Sequence, residues 1–138
     1  MKRIALIVTL AVALSLIAAS CSDPLPNGPL PQGIWGGEGV RMEITSAGAT
    51  LEFDCASGTI DEPVAVTDGR IDVDGTFTLG QGGPVLEDEV PDTRTARYLG
   101  TARGNTLTLE VRFEGLGGAA PPTYVLTRGD EGLLRRCL

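Results

Sequence analysis

Alternation is the feature of this chain that most limits what it can fold into. Leu107, Leu109, Val111 and Phe113 alternate with Thr108, Glu110 and Arg112. Val40, Met42 and Ile44 alternate with Arg41, Glu43 and Thr45, and Leu51, Phe53 and Cys55 with Glu52 and Asp54. A period of two places the apolar side chains on one face of an extended segment and the charged ones on the other. Shorter segments of the same kind are Pro63–Thr67, Arg70–Val73, Thr76–Leu79, Thr95–Ala102, Thr123–Thr127 and a last one near Leu133–Cys137. Between them fall Ala47-Gly48, Asp68-Gly69, Asp74-Gly75 and Gly104-Asn105, dipeptides suited to tight hairpins. The expected fold is all-β, a small antiparallel barrel or sandwich of about eight strands. Two longer connections, Gly80–Asp92 and Gly115–Pro122, interrupt the meander and are candidate binding loops.

The ends of the chain read differently. Met1-Lys2-Arg3 is a short basic start, followed by an apolar run from Ile4 to Ala19 broken only by Thr9 and Ser15. Small residues Ala18-Ala19-Ser20 then lead into Cys21. Basic start, apolar run and small-residue exit are the layout of a secretory signal peptide. The run is shorter than the roughly 20 residues a membrane-spanning helix needs. Residues 22–32 follow, with prolines at 24, 26, 29 and 31. Proline fixes φ and removes a backbone donor, so this stretch is expected to be an extended spacer. The division expected is therefore a signal peptide over 1–20, a linker over 21–32 and a β domain over 33–138.

Ala18-Ala19-Ser20-Cys21 resembles the lipobox of bacterial lipoproteins, with Ala18 where that family most often has leucine. The resemblance implies a diacylglycerol on the Cys21 thiol, cleavage just before Cys21 and acylation, palmitate included, of the new N-terminus. In a Gram-negative host, Ser22 after the cysteine resembles the signal for transfer to the outer membrane. An ordinary signal peptide cut at the same small residues would instead leave Cys21 as a plain thiol or a disulfide partner. The cysteine count bears on that choice. There are three, Cys21, Cys55 and Cys137, and an exported protein rarely leaves one unpaired. With Cys21 lipidated, Cys55 and Cys137 are free to form a disulfide in an oxidising compartment.

Charge narrows the partners. Cleavage would remove Lys2 and Arg3, leaving nine arginines against 18 acids, a net side-chain charge of −9 with no lysine. Such a surface repels nucleic acid and anionic headgroups alike, so membrane attachment must come from acyl chains.

Catalytic constellations are scarce. The chain has no histidine, which removes the usual base for a serine or cysteine nucleophile and the commonest zinc ligand. Glu52 with Asp54, and Asp72 with Asp74, are paired carboxylates of the kind used in glycoside hydrolysis. That chemistry also needs a cleft lined by aromatic side chains, and these pairs read better as solvated strand faces. Asp68 to Gly75 carries alternating acids before a glycine, as calcium loops do, but Arg70 stands where the first ligand belongs. No metal, cofactor or enzymatic activity is expected.

Gly33-Ile34-Trp35 resembles the Gly-x-Trp near the start of lipocalins and related calycin barrels. The resemblance implies that Trp35 plugs one barrel end under an arginine, with Arg128, Arg135 or Arg136 available. It also implies a small apolar ligand in a cavity lined by Trp35, Phe53, Leu109 and Val111. The expectation is a non-enzymatic envelope lipoprotein, a binding or structural module that engages an envelope protein or, alternatively, a small apolar ligand.

Overall fold

The computed structural model describes residues 23–80, 87–113 and 120–137. Ten strands and no helix occur among them: β1 (Gly28–Pro29), β2 (Gly33–Gly37), β3 (Val40–Ile44), β4 (Ala49–Phe53), β5 (Ala56–Ile60), β6 (Ala65–Val66), β7 (Arg70–Leu79), β8 (Asp92–Arg103), β9 (Thr106–Phe113) and β10 (Thr123–Arg128). Eight of them form a closed antiparallel barrel in the order β2-β3-β4-β5-β7-β8-β9-β10, and β10 returns to β2. Closure is made by Thr127 opposite Gly36 and Arg128 opposite Trp35, while Tyr124 and Leu126 pair with Leu109 and Leu107 on the other side. Of the two expected architectures, the barrel is the one formed.

The alternation does what the pattern requires. Met42, Leu51, Tyr98, Leu107, Leu109 and Leu126 are at most 1% exposed and fill the interior. Glu43, Glu52, Asp72, Asp74 and Arg97 occupy the outer wall. Apolar inside and charged outside is the inverse of a membrane-spanning barrel, which turns its apolar band to lipid.

Several local expectations are corrected. Asp74-Gly75 is not a turn: Arg70 to Leu79 is one continuous strand, paired with β8 along its whole length. Gly75 is there because a Cβ would lie 2.2 Å from the Thr59 carbonyl and 2.9 Å from the Tyr98 ring. Gly58 answers the same ring, since its Cβ would meet the Tyr98 hydroxyl at 2.1 Å. Asp68-Gly69 does form a tight turn, with φ of 52° and 72°, the left-handed pair that hairpin turns favour. Cys55 does not continue its strand but sits in the β4–β5 turn with φ 62°. The segment near Leu133–Cys137 is no strand; only Leu133 bridges, to Glu38.

The proline-rich segment differs most from expectation. From Asp23 onward it is docked on the barrel. The Gly104 amide donates to the Asp23 carbonyl at 3.0 Å, the Leu25 amide to Ala102 at 3.0 Å and the Leu30 amide to Val64 at 2.8 Å. β1 pairs with β6, and Leu30, Val64 and Val66 are buried beneath that ribbon. The leucines explain why: an extended chain carrying Leu25 and Leu30 gains more by covering an open barrel end than by remaining solvated. We call this covered end the closed end and the other the mouth.

Candidate functional site

Three places on the barrel bear on function: the cysteine pair, the mouth and the closed end. Cys55 and Cys137 are bonded, with Cα atoms 5.1 Å apart and 82 positions apart in sequence. The bond fixes a C-terminal segment that climbs the outside of β2 and β3. That segment exchanges backbone bonds with the strand ends, Leu133 to Gly37 and Gly39 to Leu133, each at 2.9 Å. Its Asp130 carbonyl lies against the bare backbone of Gly36, where a Cβ would be 2.4 Å away. Near the mouth the Arg135 amide donates to Asp54 Oδ1 at 2.6 Å. Cys21 lies outside the described residues.

The mouth is aromatic. β4 and β9 end there, at Phe53 and Phe113, and Tyr124 stands near the start of β10. Phe53 lies 5.5 Å from Phe77 and 5.0 Å from Tyr124, and Phe77 stacks on Phe113 at 4.7 Å. Offset and tilted pairs at these separations add to the area they bury. Trp35 is at the opposite end, fully buried, with its Nε1–H donating to the Pro31 carbonyl at 3.0 Å. The four residues expected to line a common cavity are thus spread along the barrel axis. Trp35 plugs the closed end, Phe53 belongs to the aromatic cluster at the mouth, and Leu109 and Val111 are core residues between them. Arg128 is opposite Trp35 in register and exposed, whereas Arg135 lies in the C-terminal segment and reaches Glu38 at 3.5 Å.

Tyr98 is the central polar group of the core. It is fully buried, and its hydroxyl donates to the Thr76 carbonyl at 2.6 Å. Burial, with a smaller contribution from Tyr124, pushes its ionisation far above the ordinary 10.0 of a tyrosine. The unfolded chain therefore releases this proton first, and stability falls as pH rises through 10. Chemical denaturation between pH 8 and 11 should show that decline, and Tyr98→Phe should flatten it. At neutral pH the same change should cost about 1 kcal/mol, for the buried carbonyl left without its partner. An unchanged alkaline slope in Tyr98→Phe would assign the decline to other groups.

One carboxylate of each pair faces an arginine. Arg97 holds Asp72 bidentately at 2.7 and 2.6 Å, and this hydrogen bonding keeps the Asp72 carboxyl below its ordinary range. Glu52 lies 3.6 Å from Arg41, and Asp54 receives the Arg135 amide. Asp72, held ionised by the Arg97 guanidinium, is poorly placed to donate a proton near neutral pH. Asp68, Asp72 and Asp74 do not converge, because Asp72 and Asp74 lie along extended β7 while Asp68 is in the preceding turn. No group of three acids or cysteines suited to a metal ion occurs among the described residues.

No family model, no curated protein and no solved structure matches this chain. The docking of residues 23–30 does not follow from the proline pattern. The signal for it was present in Leu25 and Leu30, two large apolar residues that a solvated spacer has no use for.

Proposed function

We propose that this chain is a cell-envelope lipoprotein, held at a membrane by lipid on Cys21, whose barrel serves as a non-enzymatic binding or structural module. The observation that carries the reading is the Cys55–Cys137 bond. It uses both cysteines of the barrel and leaves Cys21 as the single one over, directly after an apolar run of export type. Acylation gives that residue a role which an unpaired thiol in an oxidising compartment lacks. The net charge of −9 after cleavage, from nine arginines and 18 acids, supports attachment by acyl chains rather than by electrostatics. In a Gram-negative host, Ser22 favours the outer membrane.

The test is labelling with palmitate in the native host, comparing wild type with Cys21→Ala. Label and membrane fractionation should both be lost in the variant, while the barrel keeps its disulfide. Label and fractionation that survive the substitution would refute the reading.

A further inference from the structure

We propose that the barrel is seated directly on the bilayer by its closed end, with the aromatic mouth turned away from the membrane. The inference rests on the lipid anchor at Cys21 and adds an orientation to it.

A free spacer over residues 22–32 in polyproline form would hold the domain roughly 30 Å from the lipid, at about 3.1 Å per residue. That spacer does not exist. Backbone bonds from Gly104 to Asp23, Leu25 to Ala102 and Leu30 to Val64 fix the chain from Asp23 onward, and the Asp68 amide adds a bond to Asn27 Oδ1 at 2.8 Å. Pro24 bridges to Arg103 at the end of β8. Only Ser22 separates Cys21 from Asp23. Two residue steps reach at most about 7 Å, so a lipid on Cys21 would tether the barrel through Asp23, whose carbonyl accepts the Gly104 amide of the β8–β9 turn.

The composition of this end is a second, independent observation. Arg41, Arg94, Arg97, Arg112 and Arg135 each have a carboxylate partner on the wall or near the mouth. Of the other four, Arg136 lies in the C-terminal segment beside Cys137, while Arg70, Arg103 and Arg128, which have no carboxylate partner among the described residues, are all exposed at the closed end, where β7 starts and β8 and β10 finish. A guanidinium without a carboxylate is a ready bidentate donor to a phosphate oxygen. Asp23, Asp61, Glu62 and Asp68 share this end, so net charge does not drive the seating. The short tether does, and the three arginines meet individual headgroup phosphates.

The mouth follows from the geometry. β7 runs ten residues from the closed end to Leu79, which at about 3.3 Å per residue and the usual barrel tilt places the mouth roughly 25 Å further out.

The experiment uses the full, lipidated chain in native membranes, with a benzophenone-bearing residue in place of Asn105 at the closed end or Val90 near the mouth. Irradiation should give lipid adducts at 105 and none at 90. A Gly-Ser spacer inserted between Ser22 and Asp23 should abolish the adducts at 105 while leaving lipidation intact. Mass spectrometry of the N-terminal peptide separates the two readings. An unmodified Cys21 would overturn the anchor and the seating together. An acylated Cys21 with adducts equal at both positions, only at 90, or unaffected by the spacer would overturn the seating alone.

Discussion

Trp35→Ala should destabilise the barrel by about 3–5 kcal/mol, the usual cost of emptying a large aromatic site that cannot collapse. The site cannot collapse because it lies where barrel and covering segment meet. Trp35 is fully buried, its neighbour on β10 is the strand that closes the barrel, and its indole N–H holds the Pro31 carbonyl. Losing the ring therefore opens a void and frees the chain that covers it. Urea denaturation of the folded domain measures the effect. Trp35→Phe should recover most of the packing but not the hydrogen bond, worth about 1 kcal/mol. A change within about 0.5 kcal/mol, as at an ordinary surface position, would show that Trp35 is not the plug.

Removing the Cys55–Cys137 bond should cost about 2–5 kcal/mol, the range for a native disulfide in a small domain. Cys55→Ala, Cys137→Ala and the double substitution should lose nearly the same amount, because either change breaks the one bond. The loss should begin locally. The C-terminal segment is held by the Leu133–Gly37 and Gly39–Leu133 backbone bonds and by the Arg135 amide on Asp54, a short set open to solvent. Hydrogen exchange should find the Leu133 and Gly39 amides deprotected in the variants while the Leu109 amide stays protected. Equal protection of all three would mean that the segment docks without its covalent tie.

The legible strands were those whose inward positions carry large side chains. β3, β4 and β9 announce themselves through Met42, Leu51 and Leu109 and their charged neighbours. β5, Ala-Ser-Gly-Thr-Ile, and β2, Gly-Ile-Trp-Gly-Gly, do not, since alternation cannot be seen where one face is glycine. Those glycines are set by what approaches them from elsewhere in the fold. Gly58 yields to Tyr98 and Gly37 to the Val125 carbonyl, 2.0 Å from where a Cβ would stand. Asp74-Gly75 misled for the same reason: glycine makes room for a ring as readily as it makes a turn.

By itself the sequence determined the strand class, the apolar interior, the acidic surface and the parity of the cysteines. Each follows from local spacing or from a count, and neither depends on where the chain goes next. Tertiary structure alone decided that eight strands close into a barrel, because closure requires β10 to find β2 across the 85 residues between Gly37 and Thr123. It also decided that the proline-rich segment caps the barrel. Proline dictates an extended backbone, but whether Leu25 and Leu30 meet water or an open barrel end depends on a surface that exists only after folding.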